Sequence, residues 1–502
     1  MTITNQARRK LGPTASALID GPTCWIDGTW EEGDSEHSWR SVDPTTTELI
    51  RDIPVGSAAQ AERGVLAARH AFDSGAWSTV TPRERAGLLL ELADLMERHA
   101  EDLVEIVVTE VGSPISLSRS MQVGMPIANV RWAAEMATKG PQGGYEESLT
   151  PHMGPPPSSS LLQRVPVGVI AGITGYNFPI NSVIWKLAPG LAAGCTLVFK
   201  PSPRTPLSTM ALMRLVDQVG FPKGVINFVT GEADVGELLS SHRAVDMVMF
   251  TGSLGVGRRI MESAARTVKR LVLELGGKSA TIILPGSDIT DLTGPSIMRW
   301  VRNSGQGCGA TTRTLVPRAQ YDEYAAAASS FVSELSVGSP WEETTDVGPL
   351  IRAEQRSFVE GHLERALERG ASLVAGGGRP EGLGGYFMNP ALVGNVDNSD
   401  EICQEELFGP VGALLPYDDI DEAISIAHDS EYGLHAAVYG PPAEAFAVAS
   451  RLRTGAVSIN GGGFMRPEGP WGGFKLSGFG REMGDDGFRE FFQVKHLQWP
   501  IR

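Results

Sequence analysis

The sequence predicts an α/β protein of at least two domains, organised around a parallel sheet covered on both faces. Three features carry this. Short apolar runs rich in β-branched residues alternate with helical segments from about residue 167 to 275, the rhythm of strand–helix–strand units with right-handed crossovers. The runs are almost continuously apolar, as expected of strands buried on both sides. The chain has 502 residues, more than the roughly 250–300 at which a single core stops growing.

Before the alternating region, residues 59–73 and 82–110 read as helices. In the second, Leu88, Leu92, Leu95, Met96, Leu103 and Ile106 recur at helical spacing with charges between them. Residues 140–160, GPQGGYEESLTPHMGPPPSSS, are rich in Gly, Pro and Ser and mark a boundary or an excursion from the domain body. VGVIAGIT (167–174) is the first strand, NSVIWKLAPGLAAG (181–194) is helix-like in parts, and TLVFK (196–200) is strand again. PLSTMALMRLVDQVG (206–220) has Pro near its start and Gly at its end, the asymmetry of a helix. GVINFVT (224–230), a short helix, VDMVMF (245–250), a helix over 254–268 and RLVLEL (270–275) complete the series. A second alternating region spans about 276–460, with helices at 321–336 and 353–370 and strands near ATIIL and TTRTLV. The final FFQVKHLQWPI (491–501) reads as one exposed strand with nothing local to pair with. An unpaired edge is a liability, so pairing with another subunit is expected.

Composition narrows the function. Hydrophobic residues make up 42% and charged residues 20%, an ordinary globular profile. The 59 glycines suit many turns and close backbone approaches. A net charge of −16 argues against nucleic acid and anionic membrane surfaces as partners. Cys24, Cys195, Cys308 and Cys403 form no CxxC pair and suit neither a zinc site nor a disulfide framework. Free thiols point to a reducing compartment. MTITNQARRK has no apolar signal-peptide core, and no apolar run reaches the ~18 residues of a membrane helix. A cytoplasmic protein is expected, with no metal.

Cys308 lies in NSGQGCGATTR (303–313) between two glycines. A cysteine that only fills a core does not need them, and a thiol with room around it can attack a substrate as thiolate, with a backbone N–H nearby to hold an oxyanion. Glu274, in RLVLELGGKSA, stands among leucines; desolvation there raises a carboxyl pKa and suits it to proton transfer. On the residues alone it is equally a strand-end glutamate facing water. Gly276 and Gly277 suggest that something approaches the backbone. FTGSLGVG (250–257) joins a strand to a helix start, where backbone N–H groups favour a phosphate. It lacks the GxGxxG fingerprint and is otherwise a Gly-containing turn. Lys200, at the carboxyl end of a strand in KPSPRTP (200–206), sits where open α/β sheets bind ligands, unless it is a surface lysine. Asn177, in ITGYNFP (173–179), is either an oxyanion donor or a turn asparagine. Nine histidines make no HExxH and no triad with serine.

In this order these segments resemble the aldehyde dehydrogenase superfamily over nearly the whole chain. Seven match: ITGYNFP, KPSPRTP, FTGSLGVG, LELGGKSA, NSGQGCGATTR, EELFGPV (405–411) and PWGGFKLSGFGRE (470–482), and the 34-residue spacing from Glu274 to Cys308 fits too. The resemblance implies a Rossmann-type cofactor domain (1–140 and 161–274), an α/β catalytic domain (275–484) and a small β oligomerisation arm (141–160 and 485–502), in a homodimer or homotetramer. It implies Cys308 as nucleophile, Glu274 as base, and Asn177 with the Cys308 backbone N–H as oxyanion hole. Lys200 and Glu406 would hold the riboses, Phe408 would lie near the nicotinamide, Ser253 would meet the pyrophosphate and Gln355 would assist at a ribose. Thr174, Ser202, Pro203, Gly236, Phe250, Thr251, Gly252 and Leu275 are the further implied cofactor contacts. The implied reaction passes through a thiohemiacetal and a thioester on Cys308, the latter hydrolysed by a water that Glu274 activates.

Two departures bear on specificity. Pro203 stands where many NAD-using members carry a ribose-binding Glu, with Arg204 adjacent, so NAD is expected with NADP open. Phe178, Asn181, Ser182 and Trp185 share one helical face that by resemblance lines the aldehyde tunnel. Met465 and Trp471 would form the opposite wall, and the glycines at 461–463 leave space. The expected substrate is a medium or bulky aldehyde, aromatic or long aliphatic. The competing readings are a coenzyme A-acylating semialdehyde dehydrogenase, against which Glu274 argues, and an inactive structural homologue, against which Cys308, Glu274 and Asn177 together argue.

Overall fold

The computed structural model describes residues 9–142, 144–462 and 465–501; Gly463 and the first eight residues lie outside them. Among the described residues two large sheets organise an α/β fold. The centre of the first is parallel, in the spatial order Ile226–Phe228, Thr196–Lys200, Val169–Ile173, Met247–Thr251, Arg270–Glu274. In chain order that is 3-2-1-4-5, the doubly wound arrangement, with its switch point between Val169–Ile173 and Met247–Thr251. Ligands of open α/β sheets bind in the crevice beyond the carboxyl ends of such a pair. The apolar runs are buried throughout these strands, apart from the ends of the last two, because helices cover both faces. The hairpin Cys24–Ile26/Thr29–Glu31 closes one edge antiparallel.

The second sheet runs Ser372–Gly376, Ala391–Gly394, Val411–Tyr417, Arg313–Pro317, Ala280–Ile283, His435–Tyr439, Ala456–Ile459, parallel except at its first strand. The two sheets are stitched together. Gly478–Phe479, which follows the second sheet in the chain, pairs antiparallel with Leu273 and Glu274 at the edge of the first. Ser477 donates its hydroxyl to the Gly276 carbonyl at 2.7 Å and accepts from Gly433 N–H at 2.9 Å.

Two expectations are corrected. The helix expected over 82–110 is two, Pro82–Arg98 and Ala100–Val111. They meet at His99, whose backbone leaves the helical region (φ −103, ψ 17) and whose Nδ1 lies 2.9 Å from Asp102 Oδ2. The C-terminal strand is not without a partner in its own chain. Phe492–Pro500 pairs antiparallel along its whole length with Ser158–Pro166, which in turn pairs with Glu146–His152. Its partner lies more than 300 residues upstream and begins at the end of the segment that Gly and Pro made look like a linker. No helix among the described residues is long and apolar enough to cross a membrane.

Candidate active site

The carboxyl ends of the first sheet deliver Thr174, Lys200, Thr251 and Glu274 to one side, and the loop before Arg313–Pro317 brings Cys308 to meet them. Glu274 ends its strand fixed on both flanks: its carbonyl accepts from Gly252 N–H, and Leu275 N–H donates to Ser477 O, both at 3.0 Å. Its side chain is buried and hydrogen-bonded to the Cys308 thiol and, at 3.1 Å, to the Trp471 indole N–H. Burial and the nearby Glu482 carboxylate push its pKa up to about 8, while Cys308, Trp471 and Lys186 pull it back. Lys186 and Glu482 form a buried ion pair, Nζ to Oε1 2.8 Å, and Lys186 also donates to Thr251 Oγ1 at 2.7 Å. Desolvation, then Glu274 and Glu406, raise the Cys308 thiol pKa well above its ordinary value. In this state Cys308 rests as a neutral thiol against the Glu274 carboxyl group.

The glycines around these groups are explained by what touches them. A Cβ on Gly277 would lie 2.5 Å from the Cys308 carbonyl oxygen, and one on Gly276 would lie 2.2 Å from Glu406 Oε2. A Cβ on Gly309 would meet the Trp471 ring at 2.8 Å, whereas Gly307 faces open space. The room beside the thiol is therefore on the Gly307 side.

Asn177 is held against the loop that carries Cys308. One of its amide N–H groups donates to Gln306 O at 3.0 Å, leaving the second for a substrate oxygen. Its backbone carbonyl accepts from Gln122 Nε2 at 2.8 Å and from Asn303 Nδ2 at 3.2 Å. Gln122 comes from a π-helical stretch, Ser118–Gly124; Asn303 and the following Ser304 adopt positive φ. Gln122, Asn303, Lys186 and Glu482 are site residues that sequence reasoning missed. An apolar residue set surrounds the thiol: Trp185, Leu434, Trp471 and Met483, with Met125 and Met465 at their margin. Phe178 is half-buried beside Asn177. Asn181 and Ser182 are buried: Asn181 Nδ2 donates to Met121 O at 2.7 Å while its Oδ1 has no hydrogen-bond partner, and Ser182 Oγ accepts from Gly175 N–H at 3.1 Å.

The crevice at the switch point suits a dinucleotide. The helix Leu254–Ala265 starts after exposed Ser253 with no side chain capping it, and Gly255 in its first turn faces open space. Free N–H groups there can take a pyrophosphate. Phe250 and Leu275 fill the floor: a Cβ on Gly252 would lie 2.5 Å from the Phe250 ring, and one on Gly257 would lie 2.8 Å from Leu275. Buried Thr174 keeps a hydroxyl without a hydrogen-bond partner. Lys200 is buried 5.7 Å from the Trp39 ring centroid, with Gly236 beside its stem. Burial lowers its pKa to about 8, against the pull of Glu232 and Asp234. Ser202 accepts from Arg204 N–H at 3.3 Å, and Pro203 follows at the half-buried rim. Glu406 is desolvated, with a pKa raised to about 7, and accepts from Gly277 N–H at 3.0 Å. Gln355 spends its amide on the carbonyls of Leu407 and Phe408, at 2.8 and 3.1 Å, and so braces the turn in which Phe408 (φ +52) packs edge-on to Tyr176.

A family model, that of the aldehyde dehydrogenase family, matches residues 30–497. The chain belongs to the aldehyde dehydrogenase family. A putative aldehyde dehydrogenase, DhaS, of Bacillus subtilis is 37% identical over 477 residues, covering 94% of each chain. The betaine aldehyde dehydrogenase of the same organism is 37% identical over 481 residues, 95% of this chain and 96% of its own. Among solved structures, a cysteine-to-alanine variant of aldehyde dehydrogenase C from Pseudomonas syringae, complexed with NAD+ and octanal, superposes with a TM-score of 0.90 at 38% identity, covering 98% of both chains. Betaine aldehyde dehydrogenase of Staphylococcus aureus with NAD+ gives a TM-score of 0.92 at 35% identity, covering 97% of this chain and 96% of that one. The protein is thus an aldehyde dehydrogenase, an oxidoreductase of α/β fold.

Proposed function

We propose that this aldehyde dehydrogenase oxidises a medium-sized or bulky aldehyde, aromatic or long aliphatic, to its carboxylic acid with NAD+. The observation that carries the reading is the Cys308 thiol hydrogen-bonded to buried Glu274 at the foot of an apolar enclosure. Trp185, Trp471, Met125 and Met465 would grip an apolar chain, and the octanal complex of the Pseudomonas syringae relative supports that choice. The NAD+ complexes of both structural relatives support the cofactor. Ser253 and the N–H groups after it would hold the pyrophosphate, Lys200 and Glu406 the riboses, and Phe408 the nicotinamide end.

Cys308 passes its proton to Glu274 as the sulfur adds to the aldehyde carbon. The second Asn177 N–H and the Cys308 backbone N–H take up the oxyanion, an arrangement worth ~10²–10³ in rate per donor. When bound, the cofactor supplies the acceptor for the hydride leaving that carbon. Glu274 first gives up the thiol proton to solvent and then, ionised again, draws a proton from a water, which adds to the thioester and releases the acid from Cys308. The three-stranded sheet carries exposed Leu149, Val494, Leu497 and Trp499 and would serve as the arm of a homodimer or homotetramer. Free thiols at all four cysteines support a cytoplasmic setting.

The deciding experiment follows absorbance at 340 nm across an aldehyde chain-length series, with NAD+ and NADP+ in parallel, on wild type and Cys308→Ala. Reduction by wild type alone, strongest with long or aromatic aldehydes and NAD+, is expected. A kcat/KM that peaks at acetaldehyde would sink the substrate reading, and equal use of NADP+ would credit Arg204 over Pro203.

A further inference from the structure

Trp471 touches more of the catalytic machinery than a tunnel wall requires. Its indole N–H donates to Glu274 Oε1 at 3.1 Å. Its ring occupies the place of a Cβ on Gly309, the residue after the nucleophile, and lies 5.7 Å from the His435 ring. Its backbone exchanges two hydrogen bonds of 2.7 Å with Glu482, whose carboxylate pairs with Lys186. It is almost wholly buried and packs against Trp185, Leu434 and Met483. One side chain therefore forms part of the apolar enclosure and is bonded to the group read as the base.

We propose that Trp471 is a positioning residue for the hydrolytic half of the reaction: it fixes the Glu274 carboxylate beside Cys308 and keeps it ready to accept a proton. The proposal rests on Glu274 acting as general base. In the step concerned an O–H bond of water breaks and its proton goes to Glu274. The water oxygen bonds to the thioester carbon, and the C–S bond breaks with its electron pair left on the Cys308 sulfur. Glu274 must be ionised for this. The groups facing it pull in both directions: burial and Glu482 favour the protonated acid, while Lys186, the Cys308 thiol and Trp471 favour the carboxylate. An indole N–H can only donate, so it favours the form that accepts best, the carboxylate.

The test uses the full-length enzyme in single-turnover experiments, resolving NADH formation from the later release of acid across a pH series. Trp471→Phe keeps an apolar ring and deletes the donor. The benzothiophene isostere of tryptophan at position 471 keeps the ring volume as well and covers the case in which the Phe variant does not fold. Both are expected to move the acid limb of acid release upward by about one pH unit or more, the shift expected from losing one hydrogen bond to a charged group, with the NADH phase shifting in the same direction because Glu274 also takes the Cys308 proton. An acid-release profile that coincides with wild type would overturn the proposal. So would a slowing of both phases by the same factor at every pH, which marks lost packing alone. Glu274→Gln separates the two ideas: if it releases acid at the wild-type rate, the base assignment itself fails.

Discussion

Gly277 has no space for a side chain because the Cys308 carbonyl occupies it, 2.5 Å from the would-be Cβ. Gly277→Ala must therefore displace the backbone of Cys308. A folded protein with a normal melting temperature and aldehyde oxidation reduced ~100-fold is expected, the scale of a misplacement of about 1 Å. Steady-state rates beside a melting curve check it. Gln122 acts one step further away, through the Asn177 carbonyl it clamps. Gln122→Leu should lower kcat about tenfold while KM for the aldehyde stays close to wild type, because the clamp bears on the oxyanion donor and not on the tunnel; a rise in KM alone would refute this. Gly277 and the glycines flanking Cys308 stood out in the sequence, but their reasons did not. Gly309 makes room for Trp471 and Gly277 for a backbone oxygen, and only three-dimensional neighbours could have said so. Gln122 and Asn303 carried no signal at all, since an amide that serves a distant carbonyl looks like any other amide.

Among the elements, the helix Pro206–Val219 shows what local sequence can and cannot specify. Pro206 and Gly220, the latter in the left-handed region at its C-cap, bracket it as their backbone preferences require, so its limits were legible. Its cap was not. The N–H groups of Leu207 and Ser208, with the Ser208 hydroxyl, all donate to buried Glu110, at 2.6–2.7 Å. Glu110→Ala would orphan them together, at a cost of about 3 kcal/mol or more, visible as a lower urea midpoint. The parallel strands were legible because burial on both faces leaves them uniformly apolar. The arm was legible only through the family resemblance: Phe492–Pro500 is exposed along nearly its whole length, so no hydrophobic pattern announced its pairing with Ser158–Pro166. The break at His99 and the π-turn at Ser118–Gly124 leave the surrounding helical periodicity almost intact, and periodicity was the signal in use.

For the molecule as a whole, three buried carboxyls make stability fall as pH rises through neutrality. Glu110 and Glu406 are raised to about 7 and Glu274 to about 8, in each case chiefly by burial. Each folded-state pKa lies above the unfolded value of about 4.5, so between those values the folded chain binds more protons than the unfolded one. Their contribution to stability is complete below about pH 4.5 and declines as pH rises through 7 to 8. The melting temperature is expected to fall from pH 6 to pH 8.5, and growing repulsion in a chain of net charge −16 acts in the same direction. Aldehyde oxidation should do the reverse and rise towards pH 8 as Glu274 ionises. At the arm, Trp499→Glu with Val494→Glu should leave the catalytic site folded and shift sedimentation toward a smaller species. The strand Gly478–Phe479 reaches further than its two residues suggest. By closing onto Leu273 and Glu274 it makes the edge of one sheet out of chain that belongs to the other. Neither half can melt and leave the other with a complete border, so a calorimeter should record one endotherm where a chain of this length would ordinarily give two.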